Sequence, residues 1–405
     1  MKRWLTIIGL LLLAALTLPG CKFLWWGGSD EDKLEHVMIM YSAGKNNLSG
    51  FLTSDIATLK SSKLPSRHGK EALVLVAHNN YGSACIVRMF EKKGANYMDT
   101  LKTFDSNLFL TQKEVMREAL TFVKDTYPAS VYGMVFSSHA TGWLPEAYYS
   151  SGSDDVIFLS PSRRSIGQEG GYVNGKSVSY ELSLADFRDA IPMRLEYLLF
   201  DACLMGTVEV AYGLRDVCHY IGFSPTEVLS EGFDYSELTA DVFNNTPRDA
   251  VKAVCDHFVA QYEDKTGWDH SANAAGVDCN SMSSLATVCR SLCAKYADQI
   301  AALGTTGSNT PQKYFGGSKH WFYDLEDIFV KAGITDAEYG QLQSALGSCV
   351  YYKSTTGQYS SSIDGETHPI DTYSGLSMYL PSMGSEALDT YYKTLDWNKA
   401  TGLVK

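Results

Sequence analysis

Short apolar runs alternate along the chain with longer segments in which apolar residues recur at helical spacing, the pattern of an α/β protein. Residues 37–41 (VMIMY) form one such run, closed by the turn sequence Ser42-Ala43-Gly44-Lys45-Asn46-Asn47, and 48–59 suits a helix. The run ALVLVA at 72–77 carries no polar residue, as expected of a strand covered on both faces. Residues 84–90 are placed to pair with it around Tyr81-Gly82. Thr111 precedes Glu114 at capping-box spacing, which predicts a helix from there to about Asp125. Residues 132–136, 195–200 and 218–223 read as further strands, with a helix over 204–214. From Asp241 onward the pattern is mostly helical, at about 247–263, 281–302, 321–332 and 336–352. A late strand at 373–380 is stopped by Pro381. There is no internal repeat. The economical assembly is a mainly parallel sheet with helices on both faces, in one domain over 36–385 with a helical region at 241–353 and a C-terminal tail at 386–405.

Two stretches depart from this alternation. Residues 1–20 begin Met1-Lys2-Arg3, stay apolar over 4–18 and end in a small residue before Cys21, which describes a secretory signal. The run is short for a membrane-spanning helix. Leu18-Pro19-Gly20-Cys21 resembles a bacterial lipobox, with proline at an atypical place. On that reading Cys21 is the lipidated first residue of the mature chain, and 21–35, rich in aromatic, Gly and acidic residues, is its tether. An ordinary cleaved signal or a retained anchor is the other reading. Both place the protein outside the cytoplasm, and the first anchors it to the cell envelope. The second stretch, 142–183, turns to Gly, Ser, Tyr and Asp, and holds Arg163, Arg164 and Lys176. An insertion of that length is expected to lack structure of its own and to serve function.

Composition then narrows the classes of function. With 405 residues, 45% hydrophobic and 20% charged, the chain is an ordinary globular protein. Its 46 acidic against 34 basic side chains give a net charge of −12, which disfavours nucleic acid as a partner. Nine cysteines cannot all pair within the chain, so at least one thiol has another fate.

Two predicted strands end in reactive side chains, at the sheet edge where α/β proteins gather their sites. One runs into Ser137-Ser138-His139-Ala140-Thr141-Gly142-Trp143, the other into Asp201-Ala202-Cys203-Leu204-Met205-Gly206. If the strands are parallel neighbours, His139 and Cys203 meet. An imidazole beside a thiol can take its proton and return one to a leaving amine. A helix starting at Cys203 would favour the thiolate. Against this, a cysteine after an apolar strand is commonly a small buried residue. Asp201 lies two residues before Cys203 and therefore on the same side of the strand. Its charge there opposes thiolate formation, a cost that makes sense if the carboxylate faces a pocket for a cationic side chain. Asp201 as the cap of the following helix is the equal alternative. Glu227, Glu231 and Asp234 follow the next strand and are candidates for the same pocket wall.

The segments HVMIMYSAGKNNLSG, SSHATGW, LLFDACLMGTVEVAYGL, SPTEVLSEGFDY and YSGLSMYLP together resemble the clostripain family of cysteine peptidases, over about 36–385. The most specific piece is FDACLMGTVEVAY. The resemblance implies a caspase-like αβα sandwich, similar to that of caspases and gingipains, and an endopeptidase that cuts after Arg or Lys. It makes His139 the base and acid, Cys203 the nucleophile, and the amides of Gly142 and Cys203 the oxyanion hole. Asp201 matches the acidic specificity position, with Glu231 where an Asp is expected at the second, or Asp234 in its place. The resemblance also implies self-cleavage between the His and the Cys, at Arg163, Arg164 or Lys176. It implies no required cofactor, although calcium is used by some relatives, and Asp154, Asp155 and Asp264 offer a poor ligand set.

Other constellations are weaker. Cys289 and Cys293, four apart on a predicted helix, suit core packing. His270 and Cys279 lack the further ligands a zinc site needs. A monomer is expected, acting on proteins or peptides with Arg or Lys at the cleavage site and reaching the membrane only through its lipid. Two alternatives stay open from sequence: a caspase-like peptidase of another specificity, and a surface lipoprotein that binds peptide or glycan without cutting. With Cys21 assigned to the anchor and Cys203 to catalysis, the remaining cysteines are expected as buried thiols.

Overall fold

The apolar run at 37–41 is the middle of β1 (Leu34–Ser42), and its alternation already builds both faces of the sheet. Val37, Ile39 and Tyr41 enter one hydrophobic core, and Met38 and Met40 the other. A computed structural model describes residues 33–78, 82–145, 166–304, 307–316, 321–381 and 385–405. The signal, Cys21, most of the tether, Asp154, Asp155, Arg163 and Arg164 lie outside the described residues. Residues 34–405 form one unit.

Along the chain, β1 is followed by β2 (Glu71–His78), β3 (Ala84–Lys92), β4 (Ala95–Thr103) and β5 (Ala129–Ser137). Then come the hairpin β6 (Ile166–Val173) and β7 (Lys176–Leu182), β8 (Leu195–Asp201), β9 (Cys218–Phe223), β10 (Asn273–Asp278) and β11 (Tyr323–Asp324). The last strands are β12 (Val350–Thr355), β13 (Gln358–Ser361), β14 (Glu366–Pro369) and β15 (Ser377–Met378). The central sheet has nine strands in the order β12-β10-β9-β8-β5-β1-β2-β3-β4. Its middle five, β9 to β2, are all parallel. Antiparallel strands close both edges. Helices Ser49–Ser61, Leu238–Phe243 and Pro247–Glu263 cover one face, burying Leu59, Leu238, Phe258 and their neighbours. Lys113–Thr126, Leu184–Ala190, Val208–Leu214, Met282–Lys295 and Asp336–Cys349 cover the other. The result is the αβα sandwich that the resemblance implies.

Several expectations need correction, each for a tertiary reason. The helix after Thr111 starts at Lys113 without a side-chain cap, because the Thr111 hydroxyl donates instead to the Tyr180 carbonyl of β7 at 2.8 Å. The insertion at 142–183 is not structureless: its second half is the β6–β7 hairpin, an antiparallel ladder. The helix expected over 204–214 forms only at Val208–Leu214, with Thr207 as its N-cap. The stretch 241–353 contributes β10 and β12 to the main sheet as well as helices. Residues after 385 form helices Glu386–Tyr392 and Asp396–Thr401, with Leu388, Tyr392 and Trp397 buried in the core. Cys289 and Cys293 pack in that same core. All eight described cysteines are free thiols, six of them buried.

Candidate active site

The parallel register of β5 and β8 pairs Ser137 with Asp201. His139 and Cys203 each lie two residues beyond that pair, at the carboxyl ends of neighbouring strands. Both line one cleft of about 490 Å³, with Asp201, Glu227 and Gly232 also in its wall. The juxtaposition that sequence left conditional is therefore present.

The cysteine does not sit at a helix terminus, which corrects the expectation. Residues 202–207 form a loop in which Leu204 adopts a left-handed backbone, φ 61°, a conformation non-glycine residues hold only under tertiary constraint. The constraint is visible. The Leu204 amide donates to the Thr226 carbonyl at 2.9 Å and the Gly206 amide to Ser224 at 2.7 Å. Gly206 is required there, since a Cβ would lie 2.4 Å from the nitrogen of Pro225. Thr207 and Glu209 then tie the loop to the C-terminal region. The Ser377 amide donates to the Gly206 carbonyl at 2.9 Å, and Glu209 accepts from the Tyr379 amide and the Tyr392 hydroxyl at 3.0 and 2.6 Å. Much of the DACLMGTVEVAY motif thus builds the loop and does no chemistry itself.

Cys203 is partly buried against Val228, whose amide donates to Sγ at 3.3 Å. Burial, and next the charge of Glu227, push the thiol up to about 12. Glu227 does not turn into the cleft as an open acceptor: it receives the hydroxyls of Ser361 and Ser362 and the Ser362 amide, at 3.0, 2.5 and 3.1 Å. His139 is also partly buried, and burial lowers its pKa, keeping the ring neutral at pH 7. Its Nε2 meets Oδ1 of Asn47 at 2.5 Å. With a carbonyl oxygen as acceptor, Nε2 carries the hydrogen and Nδ1 is the basic nitrogen. Asn47 stood in the sequence within a turn and within a segment that carries the resemblance, but nothing there marked it as a partner of a histidine far along the chain.

The loop carrying His139 is held by the hairpin beyond the insertion. The Gly167 amide donates to the His139 carbonyl at 2.9 Å, Ala140 forms a bridge with Ile166, and Asn46 donates to the Gln168 carbonyl at 2.7 Å. Two residues on, Glu169 is fully buried. It meets His78 Nδ1 at 2.5 Å and accepts the amides of Lys45 and Leu110 at 3.1 and 2.5 Å. Gly142 takes a left-handed φ of 64°, and a Cβ there would lie 2.5 Å from the Leu204 carbonyl. The His and Cys loops therefore touch.

Asp201 is buried and is not a helix cap. Its Oδ2 accepts from Ser137 Oγ at 3.1 Å and from the Tyr235 hydroxyl at 2.6 Å. Burial raises its pKa, partly offset by these donors and by the Phe233 amide. Glu231 is exposed and precedes the Gly232 that packs on Asp201. Asp234 turns away: its carboxylate binds the amide and hydroxyl of Ser236 at 3.0 and 2.6 Å, a local turn that leaves the cleft wall to others. Lys176 is exposed at the start of β7, behind the Asn174-Gly175 turn. Asp264 ends the helix Pro247–Glu263. Among the described residues no cluster of three His, Cys, Asp or Glu side chains is arranged to hold a metal ion.

A thiol and an imidazole thus share one cleft at the carboxyl edge of a parallel sheet in a caspase-like αβα fold, with a buried carboxylate in its wall. The chain belongs to the clostripain family of cysteine peptidases, whose Peptidase_C11 model matches residues 40–401. It is similar to an inactive zymogen C11 protease from Parabacteroides distasonis, at 25% identity over 91% of this chain and 98% of that one, with a TM-score of 0.74. A secreted C11 cysteine protease from Bacteroides thetaiotaomicron, solved with an irreversible peptide inhibitor, is 21% identical over 91% and 99%, with a TM-score of 0.75. Comparison with curated proteins finds no match.

Proposed function

We propose that this cysteine peptidase is an endopeptidase that cuts after Arg or Lys, with Cys203 and His139 as its dyad. The observation that carries the reading is the Ser137–Asp201 register, which brings thiol, imidazole and carboxylate to one cleft. In the reaction the neutral His139 takes the thiol proton at Nδ1, and the thiolate adds to the scissile carbonyl. The amides of Gly142 and Cys203 are the proposed donors to the oxyanion. His139 then gives its proton to the departing amine, and water hydrolyses the thioester with the same ring as base. Asp201, with Glu231 at the rim, supplies the negative field for a cationic side chain, and the acidic chain as a whole draws basic peptides toward it. No step calls for a cofactor, and activity unchanged by a chelator is expected. A fall on chelation would implicate calcium.

The thiol at about 12 is poorly disposed to react, which fits a precursor awaiting a change around Val228. By analogy with the Parabacteroides zymogen, we propose self-cleavage within 142–183. Lys176 is paired with Val173 in the hairpin ladder, so a cut there requires that pairing to open, while Arg163 and Arg164 lie outside the described residues. Wild-type chain should convert over time to two fragments while Cys203→Ala stays intact. Two identical gel time courses would dismiss self-processing. Fluorogenic peptides ending in Arg, Lys or Asp test the specificity, and preference for Asp would overturn it. We also propose a monomer lipidated at Cys21 and held at the cell envelope. No described helix is long and apolar enough to cross a membrane.

Asn47 is proposed to orient the His139 ring. Asn47→Ala should lower kcat on the order of 10²-fold with KM little changed, and Asn47→Asp should shift the acid limb of the kcat profile upward by holding the imidazolium. Equal profiles for all three enzymes would remove Asn47 from the mechanism.

A further inference from the structure

The helix Ser49–Ser61 carries one acid that neither the fold nor the dyad explains. Leu48, Leu52 and Asp55 follow one another at four- and three-residue spacing, so they share a helix face. Leu48 and Leu52 line the cleft, and Asp55, the next residue along that face, lies behind the lining with 9% of its surface exposed. Its Oδ2 is buried without any hydrogen-bond partner. A core position with no cationic partner is a costly place for a carboxylate.

The acceptors around it are already spent. Asp201 Oδ2 receives both Ser137 and Tyr235, the Phe233 amide adds a third donor, and Gly232 closes over the group so tightly that a Cβ would lie 2.6 Å from each oxygen. Asp201 therefore offers charge but few open lone pairs. An ammonium brings three donors and a guanidinium five. Oδ2 of Asp55 is buried and unpaired, and its charge is coupled to that of Asp201, so it is the acceptor a cation displacing its proton would find.

We propose that Asp55 is a specificity residue of the basic-side-chain pocket, its unpaired Oδ2 accepting from the ammonium or guanidinium that Asp201 attracts. The inference rests on the Arg/Lys reading above and adds a residue to it. In the empty pocket burial, then the charges of Asp201 and Glu231, push Asp55 up to about 8, so at pH 7 it holds a proton. An entering cation favours the carboxylate, so binding releases that proton and tightens as pH rises toward 8. The titratable groups facing it are Asp201, Glu231, Tyr235 and Tyr262. Both tyrosines are pushed upward by burial first and by these acids next, and stay neutral.

The test compares kcat/KM for peptides ending in Arg, Lys and norleucine in wild type, Asp55→Asn and Asp201→Asn. The basic-to-norleucine ratio should fall at least roughly tenfold in Asp55→Asn. A ratio within twofold of wild type overturns the role of Asp55 and leaves the Arg/Lys reading standing. A wild type that cuts all three peptides equally overturns that reading and the role of Asp55 together. Should Asp55→Asn not fold, agmatine and hexylamine are titrated calorimetrically into processed, iodoacetamide-blocked wild type in two buffers of different ionisation enthalpy. Release of between roughly half and one proton per bound amine at pH 7 is expected. Amine binding with no proton release overturns the proposal.

Discussion

Cys203→Ala is expected to abolish peptide hydrolysis, by on the order of 10⁴-fold or more, with little change in stability. The side chain is small and partly buried and makes only a weak sulfur contact to Val228, so its removal takes away the nucleophile and little packing. Retention of a tenth of the activity would exclude Cys203. The same thiol gives a second readout. Pushed up to about 12 from an ordinary 9.0, it holds about a thousandfold fewer thiolates at pH 7 than an unperturbed cysteine. Iodoacetamide should therefore label Cys203 of the intact chain far more slowly than a free thiol. Processing should speed labelling by relieving burial and distancing Glu227, and a bound peptide should slow it by covering the thiol. Fast labelling of the uncut chain would show that the thiol needs no such change.

Glu169→Ala is expected to cost about 3–5 kcal/mol of stability, read as a lower urea midpoint at unchanged slope. The carboxylate and the facing His78 are both fully buried. Glu169 also accepts the amides of Lys45 and Leu110 at 3.1 and 2.5 Å. Alanine leaves His78 and those amides without acceptors inside the core. Function follows from position: Glu169 lies two residues from Gly167, which holds the His139 carbonyl. Any Glu169→Ala protein that folds should show a lower kcat as well. A midpoint within the range of a surface substitution would contradict this account.

The fold was legible where burial makes a local pattern. Both faces of β1, β2, β5 and β8 lie against helices, so these strands appear as largely apolar runs, with Glu196 the one charged residue inside the 195–200 run of β8. The strand β4 was not, because it is an edge strand whose residues are mostly exposed. Nor was β10, whose Asn273-Ala274-Ala275-Gly276 is buried by small side chains with no bulky apolar signal. At the site, His139 and Cys203 could be named because reactive side chains directly follow apolar strands. Asn47, Glu169 and Asp55 could not, since the contacts behind their proposed roles are made with residues distant in sequence.

The sequence by itself determined which segments are buried strands, which ends carry reactive groups, and that at least one cysteine stands outside any disulfide set. Those properties depend on residue type and local period. Only the tertiary structure decided that β5 and β8 are neighbours in a register pairing Ser137 with Asp201. It alone also decided that the thiol lies covered against Val228 and that the Asp55 carboxyl is buried with one oxygen unpaired. Burial, hydrogen-bond saturation and electrostatic coupling arise between segments far apart in the chain, and so the protonation of Cys203 and Asp55 is a property of the assembled sandwich.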